Sequence, residues 1–472
     1  MRTVAILVVT CLWCSPLAHG QSRAAGTDEA QARKYHLLRE DDDWRFLADQ
    51  SQRQEFWDPI KYIRLREGRN DWFLSMGGEA RGTWERIEND NWGQQPFTNR
   101  FFNQRYMFHV DAHYGEHFRS FVELKSGLNA DRTGGPRPID EKKLDVQASF
   151  FEVGAGSDRT WIKVRGGRHE MEYGSGRLID VREGPNVRLS FDGVKVKSGI
   201  GPWQIDGFAL RPDKDKPGMF DNSPDHRVGF WGVYGVRPLT HNVTLDAYYL
   251  GLDRKAAQFN RGIGHERRHS VGARVSRPVA QTKSGWDFDY EALWQFGSFG
   301  SANIRAWTAA SETGYRLPTV PLKPRFSAKA DISSGDDGGT HALGTFNALF
   351  PKGNYFGVLA TTGPGPINFI DAHPHVEAAL PRDVTVSVDW IFQWRESVRD
   401  GVYAVPGFLI VPAGKSDARF VGHRPGAEVR WQANRHLWFQ ADYGIFYAGR
   451  FVQESQPARN LKYGALWAGY KF

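Results

Sequence analysis

The chain ends in Lys462-Tyr463-Gly464-Ala465-Leu466-Trp467-Ala468-Gly469-Tyr470-Lys471-Phe472, a stretch long enough to cross a membrane as one β-strand. Leu466, Ala468, Tyr470 and Phe472 fall on one face at period two, and small or polar groups occupy much of the other. A strand that finishes the chain on an aromatic has the form of the assembly signal of bacterial outer-membrane β-barrels. It sets compartment, fold and solvent together, and every other stretch can be tested against it.

Composition agrees with a barrel. The chain has 472 residues, enough for one large barrel or for two to three soluble domains. Mean hydropathy is negative, and beyond the N-terminus no run approaches the ~20 apolar residues of a membrane helix. A barrel escapes that test because only alternate residues face lipid. Aromatics make up 14% of the chain, with 17 Trp, 16 Tyr and 31 Phe, which is heavy for a soluble enzyme and suits interfacial girdles. The 51 Gly suit bending strands and tight turns.

Residues 1–20 read as a secretory leader: Arg2, an apolar stretch over 4–13, then the small-x-small site Ala18-His19-Gly20. Cys11 and Cys14 both lie inside it. Trp13 stands where a lipoprotein needs a small residue, so the mature chain is expected to lack cysteine, and with it disulfides and thiolate metal sites. The formal charge of +7 suggests that anions are handled somewhere, the alternative being drift in loop charge.

Residues 21–70 lack strand alternation and read as a periplasmic lead-in or a plug-like segment. From there to 472 period-two runs recur. Leu74, Met76, Ala80 and Trp84 alternate with Glu79, Arg81, Thr83 and Glu85; Tyr106, Phe108 and Val110 with Arg105, His109 and Asp111. Trp286, Phe288, Tyr290, Trp294 and Phe296 alternate with Asp287, Asp289, Glu291 and Gln295. Similar runs occupy 384–395 and 437–447. Short links, near 115–116, 154–159, 199–202, 238–242, 278–285, 317–322, 380–383 and 433–435, alternate with longer ones near 87–102, 126–143, 171–186, 212–227, 254–266, 297–302, 334–370, 397–418 and 449–460. The reading is an all-β, antiparallel up-and-down transmembrane barrel of about eighteen strands, with short periplasmic turns, long outer loops and both termini periplasmic. Without the two weakest runs, 303–316 and 371–380, sixteen strands remain.

Several stretches resemble the alginate export family of outer-membrane barrels. They include Phe56-Trp57-Asp58-Pro59-Ile60-Lys61-Tyr62, Ser75-x-Gly77-Gly78-Glu79-Ala80-Arg81, Gly134-Gly135-Pro136-Arg137-Pro138-Ile139-Asp140 and Arg182-Glu183-Gly184-Pro185-Asn186-Val187-Arg188. Gly344-Thr345-Phe346-Asn347 and Trp394-Arg395-Glu396-Ser397 extend the likeness along the mature chain. The resemblance implies an outer-membrane channel for polyuronate such as alginate or for smaller anionic solutes, with lipid and periplasmic export components as partners. The motifs resemble a divergent branch of the family, so they imply fold more strongly than substrate.

A pore for anions needs lumen cations close enough to pass carboxylates onward without trapping them. Arginine fits best, because its planar fork binds carboxylate bidentately and stays charged. The candidates are Arg81, Arg105, Arg119, Lys125, Arg395 and Arg430 on strands, with Lys195 and Lys197, and Arg177, Arg182 and Arg188 in a loop that would form a constriction if it folded inward. The competing reading is that these cations pair with Glu79, Glu85, Asp111, Glu123, Asp389 and Glu428 and merely fill the wall. His265-Glu266-Arg267-Arg268-His269 matches a zinc-protease pattern literally but sits on a strand, where i,i+4 side chains stand ~13 Å apart. His373-Pro374-His375 is expected to cap a turn, and Gly335-Asp336-Asp337-Gly338-Gly339 to form a plain flexible loop. No cofactor or metal is expected. Basic charge spread over alternating strands argues against nucleic acid. An outer-membrane enzyme and a closed structural barrel are the rival readings.

Overall fold

A computed structural model describes residues 33–472 apart from 241, 340, 356 and 358–362, and the backbone alone of residue 96. The leader therefore lies outside the described residues. Eighteen antiparallel strands form one closed ring: β1 (Trp72–Asn89), β2 (Gln95–Tyr114), β3 (Phe118–Ala130), β4 (Lys142–Gly156), β5 (Thr160–His169), β6 (Phe191–Ile200), β7 (Trp203–Lys214), β8 (Val228–Pro238), β9 (Thr244–Phe259), β10 (Gly262–Arg277), β11 (Gly285–Phe299), β12 (Ala302–Arg316), β13 (Arg325–Ser333), β14 (Phe369–Leu380), β15 (Val384–Trp394), β16 (Phe420–Gln432), β17 (Leu437–Ala448) and β18 (Leu461–Lys471). Both weak runs are strands, β12 and β14, so the number is eighteen.

The expected alternation sets the two faces. Trp84, Phe102, Tyr106, Trp294, Trp390, Tyr443 and Leu466 are exposed on the outer surface, while Glu79, Arg81, Arg105, Asp111, Glu291 and Asp389 are buried inside. All eight short links are turns at one end of the barrel. At the other end three expected loops are shorter than their sequence suggests. The connection inside 87–102 is 90–94 alone, and 254–266 and 297–302 shrink to 260–261 and 300–301, because β9 to β12 run on past the apolar zone. His373-Pro374-His375 lies inside β14 and caps nothing. The ladder to β15 pairs Ala372 with Phe392 and resumes at His375 with Asp389, so proline, which has no N–H to give, sits in the gap. His265 and His269 lie on β10 and pair separately, with Asp253 and Tyr249. Of Gly335-Asp336-Asp337-Gly338-Gly339, the first two are packed, with Gly335 N–H donating to Glu396, Asp336 N–H to Asp400 and Arg261 paired with Asp336 at 2.9 Å, while residues 337–339 are an exposed loop.

Closure is made by β1 and β18, in register from Glu79–Lys471 to Glu88–Lys462. The last residue completes it: Gly78 N–H donates to the Phe472 carbonyl (2.8 Å) and Phe472 N–H to the Gly78 carbonyl (3.0 Å). Glycine is required here, since a Cβ on Gly78 would stand 2.5 Å from the Met107 carbonyl oxygen and 2.8 Å from Phe472 Cζ.

Residues 33–64 precede the barrel and grip this seam. Arg39 Nη2 donates to the Phe472 carbonyl (3.1 Å) and its Nε to Asp42 (2.9 Å). Trp57 donates from Nε1 to the Tyr470 hydroxyl (2.7 Å) and lies on the Phe472 ring at 4.5 Å. The same segment reaches into the barrel, where Glu40 pairs with Arg165 of β5 and its carbonyl accepts from Arg119 of β3.

Two outcomes follow from the seam. Gly78→Val is expected to abolish the folded, heat-shiftable band on gels, whereas Arg39→Ala should lower the shift temperature, with a loss of about 1.5–3 kcal/mol from a charged donor removed from the part-buried backbone oxygen of Phe472. Burial would raise the Asp42 carboxyl, but Arg39 and His36 outweigh it and hold it at about 2. A carboxyl depressed on docking stabilises the docked segment above its ordinary value of 3.8 and loses that contribution as pH falls through about 2. A nitroxide on Phe56→Cys, with Cys11 and Cys14 absent or replaced so that the label has one site, should therefore stay immobile at pH 5 and gain mobility between about pH 4 and 2; unchanged spectra down to pH 2 would refute the linkage.

Candidate functional site: the loop across the lumen

The β5–β6 connection, 170–190, folds into the barrel and spans it. At one side Glu183 lies against β1 and β2. Arg105 pairs with Glu183 and, at 2.5 Å, with Glu79; Arg81 donates to the carbonyls of Glu183 (2.7 Å) and Pro185 (2.9 Å). Arg188 contacts Glu183 at 3.3 Å and Glu170 at 2.9 Å. At the other side Arg177 reaches Glu291 of β11 (3.1 Å) and Asp331 of β13 (3.3 Å). In a ring of eighteen, β2 and β11 are nine places apart, so the loop crosses a diameter.

The β13–β14 connection lies beside it. Phe350 N–H donates to the Leu178 carbonyl (2.8 Å) and Asp180 N–H to the Phe350 carbonyl (3.0 Å). Met171, Leu178, Ile179 and Phe346 pack with Phe191, Phe208, Phe230, Tyr234 and Tyr248 into an apolar core against β6 to β9. Those side chains fill the space between the two loops and β6 to β9. At the polar tip of the loop Arg182, Glu183 and Gly184 are half-buried and the flanking residues are buried.

Arg182 stands apart from the other candidates. It holds a left-handed φ of 59°, uncommon for a residue with a side chain. Among the described residues it forms no ion pair, and its Nε is buried without an acceptor. Arg430, on β16 and lying over the Trp438 ring at 4.7 Å, likewise forms no ion pair among the described residues. It feels the field of Glu428, Glu183 and Asp442, which puts it within electrostatic reach of the loop tip. Burial would raise the Glu183 carboxyl, but Arg105 and Arg188 outweigh it and hold it below its usual range.

The expected pathway cations therefore divide. Arg81, Arg105 and Arg188 converge on Glu183, Arg177 anchors the opposite end, and among the described residues Arg182, Arg430 and Lys197 form no ion pair, Lys197 lying in the field of Glu40, Glu152 and Asp206. Arg119 pairs with Asp111 at 2.8 Å. Lys125 pairs with Asp215 at 3.1 Å. Arg395 lies beyond the end of β15 and donates to the carbonyls of Val398, Asp400, Ser416 and Ala418, tying the outer loops together. Lys195 contacts Asp206 at 3.2 Å. Of the expected acids, Glu79 and Asp111 pair with two of the expected cations, Arg105 and Arg119, while Asp389 binds Arg424 (2.7 Å), which was not among them. Sequence reasoning missed Arg165, because the Gly166-Gly167 pair that follows it blurs the alternation, with Gly167 at a φ of 132°. Among the described residues no cluster of His, Cys, Asp or Glu could hold a metal ion.

The family model for alginate export matches residues 72–465, the whole span of strands apart from the end of β18. The chain belongs to the alginate export family. It is thus an outer-membrane β-barrel of the porin type, placed in the outer membrane of a Gram-negative bacterium. No curated protein matches it by sequence. Among solved structures it is similar to OccAB2 of Acinetobacter baumannii, with 11% identity, a TM-score of 0.58, and 84% of this chain and 98% of that one covered. It is also similar to the outer-membrane protein OprD of Pseudomonas aeruginosa, with 12% identity, a TM-score of 0.55, and 84% and 93% covered. At such identity the likeness is one of fold.

Arg105 and Glu183 have unequal consequences when removed. Arg105→Ala leaves the buried Glu79 and the half-buried Glu183 with one partner fewer each and should cost about 3 kcal/mol, read as a lower heat-shift temperature. Glu183→Gln keeps the loop's carbonyl contacts, so the barrel should still fold, and the reversal potential under a KCl gradient should move towards the chloride value.

Proposed function

We propose that this porin passes anionic solutes, and that they cross the constriction between Arg182 at the loop tip and Arg430 on the wall. The observation that carries the reading is that, among the described residues, these two lumen cations lack carboxylate partners while Arg81, Arg105, Arg119, Arg177 and Arg188 are each paired. A paired arginine fills wall; an unpaired one, in a narrow low-dielectric passage, attracts an anion and can release it. The apolar core against β6 to β9 and the N-terminal segment at the turn end both narrow the way. This favours small carboxylates and short uronate oligomers diffusing in single file. The family's description, alginate export, supports uronate as the chemistry recognised. A long polyuronate chain is the second reading, and it requires residues 33–48 to leave the lumen. The turn end, carrying the N-terminal segment, is the periplasmic end in this reading and would meet any export component.

The test is conductance of the purified protein in planar bilayers. The wild type should prefer chloride to potassium, and glucuronate should reduce chloride current by competition. Arg182→Glu with Arg430→Glu should reverse the preference, because no neighbouring excess of positive charge remains, while Arg395→Gln should leave selectivity alone. Cation preference in the wild type, or anion preference surviving the double reversal, would refute the pathway.

A further inference from the structure

Three cations at the loop end of the closing seam point away from the lumen. Arg86 of β1 and Arg100 of β2 are exposed and stand directly opposite each other in register, and Lys462 of β18 is paired across the ladder with Glu88. Glu88 is the one carboxylate shared by this patch: it accepts from Arg86 and lies 3.1 Å from Lys462. Among the described residues Arg100 forms no ion pair. Like charges opposite one another on adjacent strands repel, so an Arg86–Arg100 pair with a single neighbouring acid calls for a further anion.

The surroundings say which anion. One pair further into the membrane on the same outer face come Trp84 opposite Phe102, with Leu466 on the other side of Trp84, all exposed. A cation patch bordering an apolar belt has the profile of an amphiphile with phosphates above and acyl chains below. Arginine's fork binds phosphate bidentately, and an exposed lysine adds a point charge.

We propose that Arg86, Arg100 and Lys462 bind the phosphate groups of the phosphorylated glycolipid of the outer leaflet, with its acyl chains on Trp84, Phe102 and Leu466. The site lies outside the barrel and is independent of the permeant solute. It sits at the loop end, so it takes the lipid of the external leaflet and not the phospholipid of the inner one.

The experiment uses the purified barrel in detergent with bisphosphorylated lipid A as probe, read by native mass spectrometry or by fluorescence of a labelled lipid. Wild type should retain lipid A, and Arg86→Gln with Arg100→Gln should weaken retention by about tenfold or more. Lys462→Gln should weaken it less. The heat-dependent gel shift of each variant serves to show that it folds, which is expected because all three side chains are exposed. Equal binding of dephosphorylated lipid A would overturn the phosphate assignment. Equal binding of phosphatidylglycerol would overturn the leaflet assignment. Displacement by millimolar inorganic phosphate as readily as by lipid A would make the patch a free-anion site and overturn the lipid one. Unchanged retention in the double variant would overturn the residues themselves.

Discussion

A backbone N–H facing hydrocarbon has no water to fall back on, so a sheet inside a membrane must close or fail. In this protein that constraint concentrates on one junction, where Gly78 and Phe472 exchange hydrogen bonds and the first and last strands become neighbours. Everything around the junction serves the fit. Gly78 removes a side chain that the Met107 carbonyl and the Phe472 ring leave no room for. Arg39 adds a charged donor to the Phe472 carbonyl, and Trp57 covers the terminal ring from outside. The N-terminal segment thus straddles the rim, with Glu40 inside the barrel and Trp57 outside it.

Inside, a second constraint governs. Charges withdrawn from water are costly unless paired, and removing one partner is worse than never having had the pair. The lumen obeys this closely: Arg105 with Glu79 and Glu183, Arg119 with Asp111, Arg165 with Glu40 and Glu152, and Arg274 with Asp246 and Asp289. Such pairs give a rigid wall with little net field. Selectivity then depends on the exceptions, and a count of lumen arginines says little about it. Most of the expected cations are paired in the wall, and the proposed pathway rests on those that form no ion pair among the described residues, Arg182 and Arg430.

Alternation made the strands legible, because lipid selects apolar outward residues and the lumen selects polar inward ones. The same rule explains where it misled. Past the bilayer, lipid no longer selects, and Arg254 and Lys255 read as loop although β9 continues through them. Pro374 reads as a breaker, yet the ladder leaves a gap where its missing N–H is not needed. The arginine-bearing loop was legible as a candidate constriction from its composition. Its use was not: Glu183 is an ordinary acid in sequence, and only the fold brings Arg81, Arg105 and Arg188 to it. Glu40 and Arg165 are 125 residues apart, beyond the reach of any local pattern.

Seam and constriction are also built on consecutive residues. On β1, Gly78 belongs to the closing ladder, and Glu79, the next residue, holds Arg105, which holds Glu183. Lys471, next to the terminal Phe472, lies 3.7 Å from Glu79 from the other side of the seam. The N-terminal segment completes the circuit, since Arg188 of the crossing loop donates to the Leu37 carbonyl at 2.9 Å, two residues before the Arg39 that grips Phe472. The crossing loop is thus held along its length: Arg177 fixes one end to Glu291, Phe350 pairs with Leu178 and Asp180 in the middle, Arg81 and Arg105 hold the tip, and the Leu37 carbonyl takes Arg188. The docked N-terminal segment adds one contact to that set, so closure of the ring and placement of the crossing loop draw on the same few residues of β1 and of the segment that precedes it.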